Sequence, residues 1–169
     1  MKKQIILVGF MGCGKSSVGR SLAGQIRYEY CDVDAVIEQQ EKCTIADIFK
    51  AKGEAYFRSL EVACFQQLLE QEERTVIATG GGLPMAEENQ KQLEQHPMVI
   101  YLKASSQTIY ERVKRDRTRP LLQTEDPKGT IDSLLELRTP VYESVANLIV
   151  ETDGKSVERV WREIQEALR

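Results

Sequence analysis

Residues 9 to 16 read Gly9-Phe10-Met11-Gly12-Cys13-Gly14-Lys15-Ser16, which satisfies the spacing G-x-x-x-x-G-K-[ST] directly after an apolar run. Each residue type there suits a polyphosphate. Gly12 and Gly14 let backbone amides turn inward, and a helix opening at Lys15 aims its positive end at the same place. Lys15 can reach β and γ phosphates, the Ser16 hydroxyl can ligate Mg²⁺, and Cys13 and Ser17 complete the nucleotide-binding stretch. The competing reading is a glycine turn with a solvated lysine. A GTPase would add an N-K-x-D base reader, which the chain lacks. Its one D-x-x-G, Asp126-Pro127-Lys128-Gly129, falls in a polar stretch and reads as coincidence. Cys13 inside the loop makes thiol modification a candidate route to blocking the nucleotide.

A second group of residues suits an acceptor. Asp32 and Asp34 stand at the end of an expected strand, where alternation would point both carboxylates to one side. One could hold Mg²⁺ through water and the other accept a hydrogen bond from a substrate hydroxyl; the plain alternative is a helix N-cap at Asp34 with Asp32 a bystander. Gly80-Gly81-Gly82 follows another strand and offers amides without side-chain obstruction, or merely a tight turn. Arg58 lies four residues after Glu54 and three before Glu61, the spacing of surface helix ion pairs. Arg138 is different. It falls in line with Ile131, Leu135, Tyr142 and Val145, so a guanidinium stands on an apolar stripe and requires an anion, either a structural carboxylate or a ligand. Between Arg112 and Arg119 five cations accompany one anion, which suits a solvated charge run or a basic lid closing over a triphosphate.

Five short β-branched runs alternate with amphipathic stretches, the pattern of an α/β fold with a parallel sheet covered on both faces. Strands are expected at 4–10, 28–33, 75–79, 98–103 and 147–151. Helices are expected at about 15–25, 35–41, 45–71 with a break near Gly53, 86–95, 105–115, 130–146 and 156–168. Thr44-x-x-Asp47 marks one helix start. The chain of 169 residues reads as a single domain, 1–169. Two regions exceed a plain alternation: a helical stretch at about 34–62, expected as an inserted substrate-binding region, and a polar segment at about 112–128, expected as a mobile lid.

Composition narrows the class. Apolar residues make up 41 % and charged residues 29 %, which excludes collagen-like, coiled-coil and mainly disordered chains. The net charge of −3 argues against a broad nucleic-acid surface. Four cysteines without a C-x-x-C pair, and one histidine, His96, give no zinc set and no histidine-dependent triad; the thiols read as reduced and cytoplasmic. Lys2-Lys3 before an apolar run imitates a signal peptide, but the run is far shorter than a membrane span and cleavage would destroy the phosphate loop.

Assembled, these residues closely resemble the shikimate kinases, small P-loop proteins related to nucleoside monophosphate kinases. The resemblance runs over nearly the whole chain: residues 9 to 16, Asp32-x-Asp34, Ile45 to Phe49, Gly53-Glu54 through Phe57-Arg58, Thr79 to Gly82, Arg119-Pro120-Leu121-Leu122, and Arg138-x-Pro140-x-Tyr142. It implies a P-loop three-layer fold with a five-stranded parallel sheet in the order 2-3-1-4-5. It further implies that Asp34, Arg58, Gly81, Gly82 and Arg138 bind shikimate, with both arginines on its carboxylate. Asp32 would assist Mg²⁺ beside Ser16, Arg119 would be the lid arginine on ATP, and Arg112 would lie against adenine. The loop 152–157 lacks a proline that some relatives carry there, which leaves the base to Lys155 and Val157.

The implied reaction is transfer of the γ-phosphoryl group of MgATP to the 3-hydroxyl of shikimate by a cytoplasmic monomer, in the route to aromatic amino acids. Lys15, Asp34 and Arg119 would be its catalytic residues, with no nucleic acid and no membrane involved. A kinase for another small acid such as gluconate, or for a nucleoside monophosphate, is the enzymatic rival. An ATP-binding regulatory module without an acceptor is the other.

Overall fold

The strand β1 (Gln4–Val8) is buried at every residue, as a strand is only at the centre of a sheet covered on both faces. The computed structural model, which describes residues 3–116 and 123–169, places it there. With β2 (Glu29–Asp32), β3 (Thr75–Ala78), β4 (Val99–Lys103) and β5 (Leu148–Glu151) it forms one sheet in the order β2-β3-β1-β4-β5. Every pairing is parallel, so all five carboxyl ends meet at one edge, where α/β folds bind ligands. Sheet and order are those implied by the resemblance.

The helices are α1 (Lys15–Ile26), α2 (Val33–Glu41), α3 (Ile45–Leu69), α4 (Glu87–Gln95), α5 (Ser106–Val113), α6 (Pro127–Val145) and α7 (Val157–Ala167). α1 lies on β1, β2 and β3 and packs against α7, while α4 packs on α3 and α6. Burial of Val160 and Ile164 gives α7 its inward stripe, with Glu158, Arg159 and Arg162 outside. The polar residue of β1, Gln4, stays inside because its amide donates to the carbonyls of Leu68 at 2.8 Å and Gln71 at 3.1 Å, groups left over where α3 ends. Thr44 caps α3 by accepting from the Asp47 amide at 3.1 Å, as the sequence pattern requires. Gly53, with φ 85° and ψ 172°, supplies the expected break inside α3.

The structure corrects several boundaries. β1 stops at Val8 rather than Phe10, and α2 begins at Val33 rather than 35. A 3-10 turn at Leu83–Met85, absent from the sequence reading, follows the three glycines. The polar segment expected over 112–128 is narrower: Arg112 and Val113 finish α5, and Pro127 and Lys128 open α6. Pro127 at the first helical position is preorganised for it, and the Asp126 carboxylate accepts from the Gly129 amide at 3.0 Å. The D-x-x-G sequence is therefore a helix cap. Arg119 and Pro120, with 117–122 as a whole, lie outside the described residues. Among the described residues no helix is long and apolar enough to cross a membrane, and the apolar run after Lys3 is the central strand.

Replacing Asp126 by alanine removes the cap of α6 and should lower the unfolding free energy by about 1 kcal/mol, read from denaturant titration. An unchanged midpoint would contradict this role.

Candidate active site

Where β1 ends, the chain turns through Gly12 (φ 76°) and Gly14 (φ 100°), left-handed conformations that curl the loop around a space for an anion. Gly14 also occupies the N-cap of α1 and supplies no side-chain bond to it, so the first amides of that helix remain available to a ligand. Lys15 folds back along the loop, its Nζ donating to the carbonyls of Gly9 at 2.6 Å and Phe10 at 3.0 Å. Arg112, from the last turn of α5, donates to Gly12 O at 3.0 Å. Around this loop lies a cleft of about 580 Å³. Gly12, Cys13, Gly14, Lys15, Ser16 and Ser17 form one wall; Asp32, Asp34, Arg112 and Lys155 join from other elements.

A second cleft of about 540 Å³ adjoins it, lined by Arg58, Glu61, Phe49 and Phe57 of α3, by Gly80 to Gly82, and by Arg138 of α6. Met11, Asp34, Glu38, Gly80 and Gly81 border both clefts, so the two spaces meet at Asp34. The expected nucleotide and acceptor residues that lie within the described chain thus fall into two adjoining groups.

The three glycines do more than free their amides. A Cβ on Gly80 would stand 3.0 Å from Asp34 Oδ1 and from Glu61 Oε2, one on Gly81 would stand 3.3 Å from Arg138 Nη1, and one on Gly82 would stand 2.5 Å from Arg58 Nη1. Four charged side chains press on this backbone, and side chains there would displace them. The carbonyls are tied down as well: Gly80 O accepts from the Leu83 amide at 3.2 Å, Gly82 O from the Met85 amide at 3.0 Å, and Gly81 O from the Tyr142 hydroxyl. The unforeseen 3-10 turn is what anchors the glycine strip.

The helix cap falls on Asp32 and not on Asp34, where the plain alternative reading had it. Asp32, the last residue of its strand, is the helix cap and accepts from the Ala35 amide at 3.1 Å. Asp34 sits in the first turn of α2, its Oδ1 buried without a hydrogen-bond partner. Strand alternation does not relate them, because α2 starts between them. Burial, with the charge of Asp32 added, pushes the Asp34 carboxyl up to about 6 against the opposing pull of Lys15 and Arg58.

Arg58 does pair with Glu54 at 3.2 Å and Glu61 at 2.6 Å, but this is not a surface arrangement, since the Glu61 side chain is only 1 % exposed. Sequence reasoning missed Glu61 as a site residue. Its spacing from Arg58 matches that of any helical surface pair; the available signal was its place two turns inside the buried half of α3. Burial drives its carboxyl up to about 7, against the attraction of Arg58, and Oε2 has no hydrogen-bond partner. Arg138 is 5 % exposed, with its guanidinium 5.5 Å from the Phe10 ring centroid and Nη1 also without a partner. The site holds one arginine and two carboxylates with unspent hydrogen-bonding capacity beside a second, paired arginine, an arrangement that favours an anionic ligand carrying hydroxyl groups.

Two residues expected at the nucleotide end have partners within the protein. Cys13 is buried, and its amide donates to Phe10 O at 3.1 Å. Lys155 lines the cleft but is held by Glu163 at 2.8 Å.

The profile of the shikimate kinase family matches residues 11–169 of this sequence. The chain belongs to the shikimate kinase family. Membership makes it a kinase, and relatives agree across nearly full length. The shikimate kinase of Vibrio campbellii is 42 % identical over 167 residues, covering 99 % of this chain and 96 % of its own; that of Hahella chejuensis is 40 % identical over 168 residues, covering 99 % and 87 %. Among solved structures, shikimate kinase from Acinetobacter baumannii in complex with shikimate superposes with a TM-score of 0.95 at 36 % identity, over 98 % of this chain and 92 % of that one. A gluconokinase from Sinorhizobium meliloti, at 19 % identity and TM-score 0.62 over 98 % and 91 %, shares the fold.

The raised Glu61 carboxyl sets a pH dependence. Its folded pKa exceeds the ordinary carboxylate value, so the native state holds its proton longer and this group's contribution to stability falls as pH rises from about 4.5 to about 7. Unfolding titrations across that window should show a flatter slope in Glu61→Gln than in the wild type. An identical slope would remove Glu61 as its source.

Proposed function

We propose that this enzyme transfers the γ-phosphoryl group of MgATP to the 3-hydroxyl of shikimate, giving shikimate 3-phosphate and ADP on the route to aromatic amino acids. The observation that carries the choice of acceptor is the unspent pairing capacity of Arg138, Asp34 and Glu61, with the paired Arg58 beside them, in the cleft next to the phosphate loop. Shikimate offers one carboxylate and a ring of hydroxyls. Arg58 and Arg138 take the carboxylate, Asp34 accepts from a ring hydroxyl, and Gly81 and Gly82 give the ring its floor. ATP lies along the first cleft, its phosphates on the open amides at the start of α1 and on Lys15. Arg112, Lys155 and Val157 stand where the base would lie.

Ser16 and Asp32 supply the one or two hard oxygen ligands that Mg²⁺ takes from a protein when phosphates and waters complete its shell. Asp32 suits the water-mediated part, since its Oδ1 is committed to the Ala35 amide and a second oxygen remains. Bound there, the ion would neutralise phosphate charge.

The chain's own residues account for the remainder. Lys15 leaves the loop carbonyls for the β and γ phosphates, and Arg119, from the segment between α5 and α6, serves as the lid arginine on ATP. The acceptor hydroxyl, held between Asp34 and the phosphate loop, is aligned for in-line attack, and positioning of this kind supplies much of the rate. A loose transition state needs little base strength, so Asp34 chiefly orients the hydroxyl and receives its proton as transfer completes. Elevation of its carboxyl toward neutrality makes it the better acceptor. The helical stretch 34–62 acts as the acceptor-binding region of a single domain. One chain supplies both clefts, which supports a monomer, and four unpaired cysteines suit the reducing, ATP-bearing cytoplasm.

Three substitutions separate the roles in steady-state kinetics and binding. Lys15→Ala should lower turnover by orders of magnitude with the thermal transition retained; a near-wild-type rate contradicts it. Arg138→Ala should weaken shikimate binding far more than ATP binding, and equal losses would mean structural damage. Arg119→Ala should lower turnover, and unchanged kinetics would make the basic segment a solvated run.

A further inference from the structure

The Tyr30 hydroxyl is buried and makes no hydrogen bond, and the mechanism above does not use it. Tyr30 lies two residues before Asp32 on β2, so both side chains leave the strand on one face. Its ring packs against α1 at Gly19, where a Cβ would come within 2.7 Å of the ring carbon Cε2, and the Arg20 guanidinium stands 5.2 Å from the ring centroid. Gly19 follows Ser16 by three residues, one turn along the same helix face. The Ser16 hydroxyl acts on the phenol from that side, though no bond of normal geometry joins them, and the Asp32 carboxylate acts on it from its own strand. The groups around the phenol thus include the two assigned to Mg²⁺.

A hydroxyl oxygen that ligates a cation turns its proton away from the ion and needs an acceptor for it. We propose that Tyr30 is the positioning residue for the metal ligand Ser16, accepting a hydrogen bond from the Ser16 hydroxyl at Oη. The inference rests on the assignment of Ser16 and Asp32 to Mg²⁺. It explains why a tyrosine occupies a place where a phenyl ring alone would pack on Gly19, since a buried hydroxyl without a partner is unfavourable. The bond forms with the metal and is absent without it, so its loss weakens binding of metal-bound nucleotide alone.

Isothermal titration of ADP into the wild type, Tyr30→Phe, Ser16→Ala and the double variant, each with Mg²⁺ and with EDTA, tests this. Tyr30→Phe keeps the ring on Gly19 and should weaken ADP binding roughly 3- to 10-fold in Mg²⁺ and not in EDTA. Added to Ser16→Ala it should cost nothing further. Tyr30→Leu, a second variant without the hydroxyl, should show the same metal-specific loss. Equal losses in both media, no loss in Mg²⁺, or a full additional loss on Ser16→Ala would each overturn the role of Tyr30. Absence of any Mg²⁺ effect in the wild type would overturn the metal assignment and Tyr30 with it; a wild-type effect retained in Tyr30→Phe overturns Tyr30 alone.

Discussion

Two arginines and two carboxylates are held out of water at the carboxyl ends of β2 and β3, and their mutual pairing is incomplete. Arg58 is satisfied by Glu61 and Glu54, while Asp34 Oδ1, Glu61 Oε2 and Arg138 Nη1 have no partner. Buried charge is tolerated when paired and costly when not. The protein therefore carries an unfavourable local arrangement that an anionic, hydroxylated ligand would complete.

The remaining architecture serves that constraint. A parallel sheet brings the phosphate loop after β1, the Asp32–Asp34 turn after β2 and the glycine strip after β3 to one edge, because crossover helices return every chain segment to the same end. Glycines at 80 to 82 let guanidinium and carboxylate groups press against backbone, and the 3-10 turn with the Tyr142 hydroxyl keeps that backbone in place. The break at Gly53 divides α3, so that the half bearing Arg58 and Glu61 runs beneath the site. Asp34 is the shared boundary: it borders both the cleft at the phosphate loop and the cleft lined by Arg58 and Arg138.

What the sequence disclosed depends on the range over which each signal acts. The phosphate loop is contiguous, so its chemistry is legible in eight residues. Arg138 showed itself because an apolar stripe cannot hide a guanidinium. Glu61 did not, since a Glu three residues from an Arg looks the same on a wet helix face as on a dry one; only tertiary packing distinguishes them. Asp32 and Asp34 were found as a pair, yet their parts depended on where α2 starts, a boundary fixed by the cap at Asp32 rather than by periodicity. The D-x-x-G at 126 to 129 was rightly set aside, although its use as a helix cap needed the structure. Substrate identity came from the ordered set of motifs over the whole chain, not from any one of them.

The measurement that bears most directly on the account is coupled ADP release with MgATP, run in parallel with shikimate, gluconate, a nucleoside monophosphate and no acceptor. Strong turnover with shikimate alone is the predicted result, because shikimate carries the carboxylate and hydroxyls that the buried charges call for and the chain belongs to the shikimate kinase family. Turnover with gluconate or a nucleotide in its place would contradict the acceptor assignment and leave the kinase fold. Nucleotide binding without turnover on any acceptor would contradict catalysis by this site.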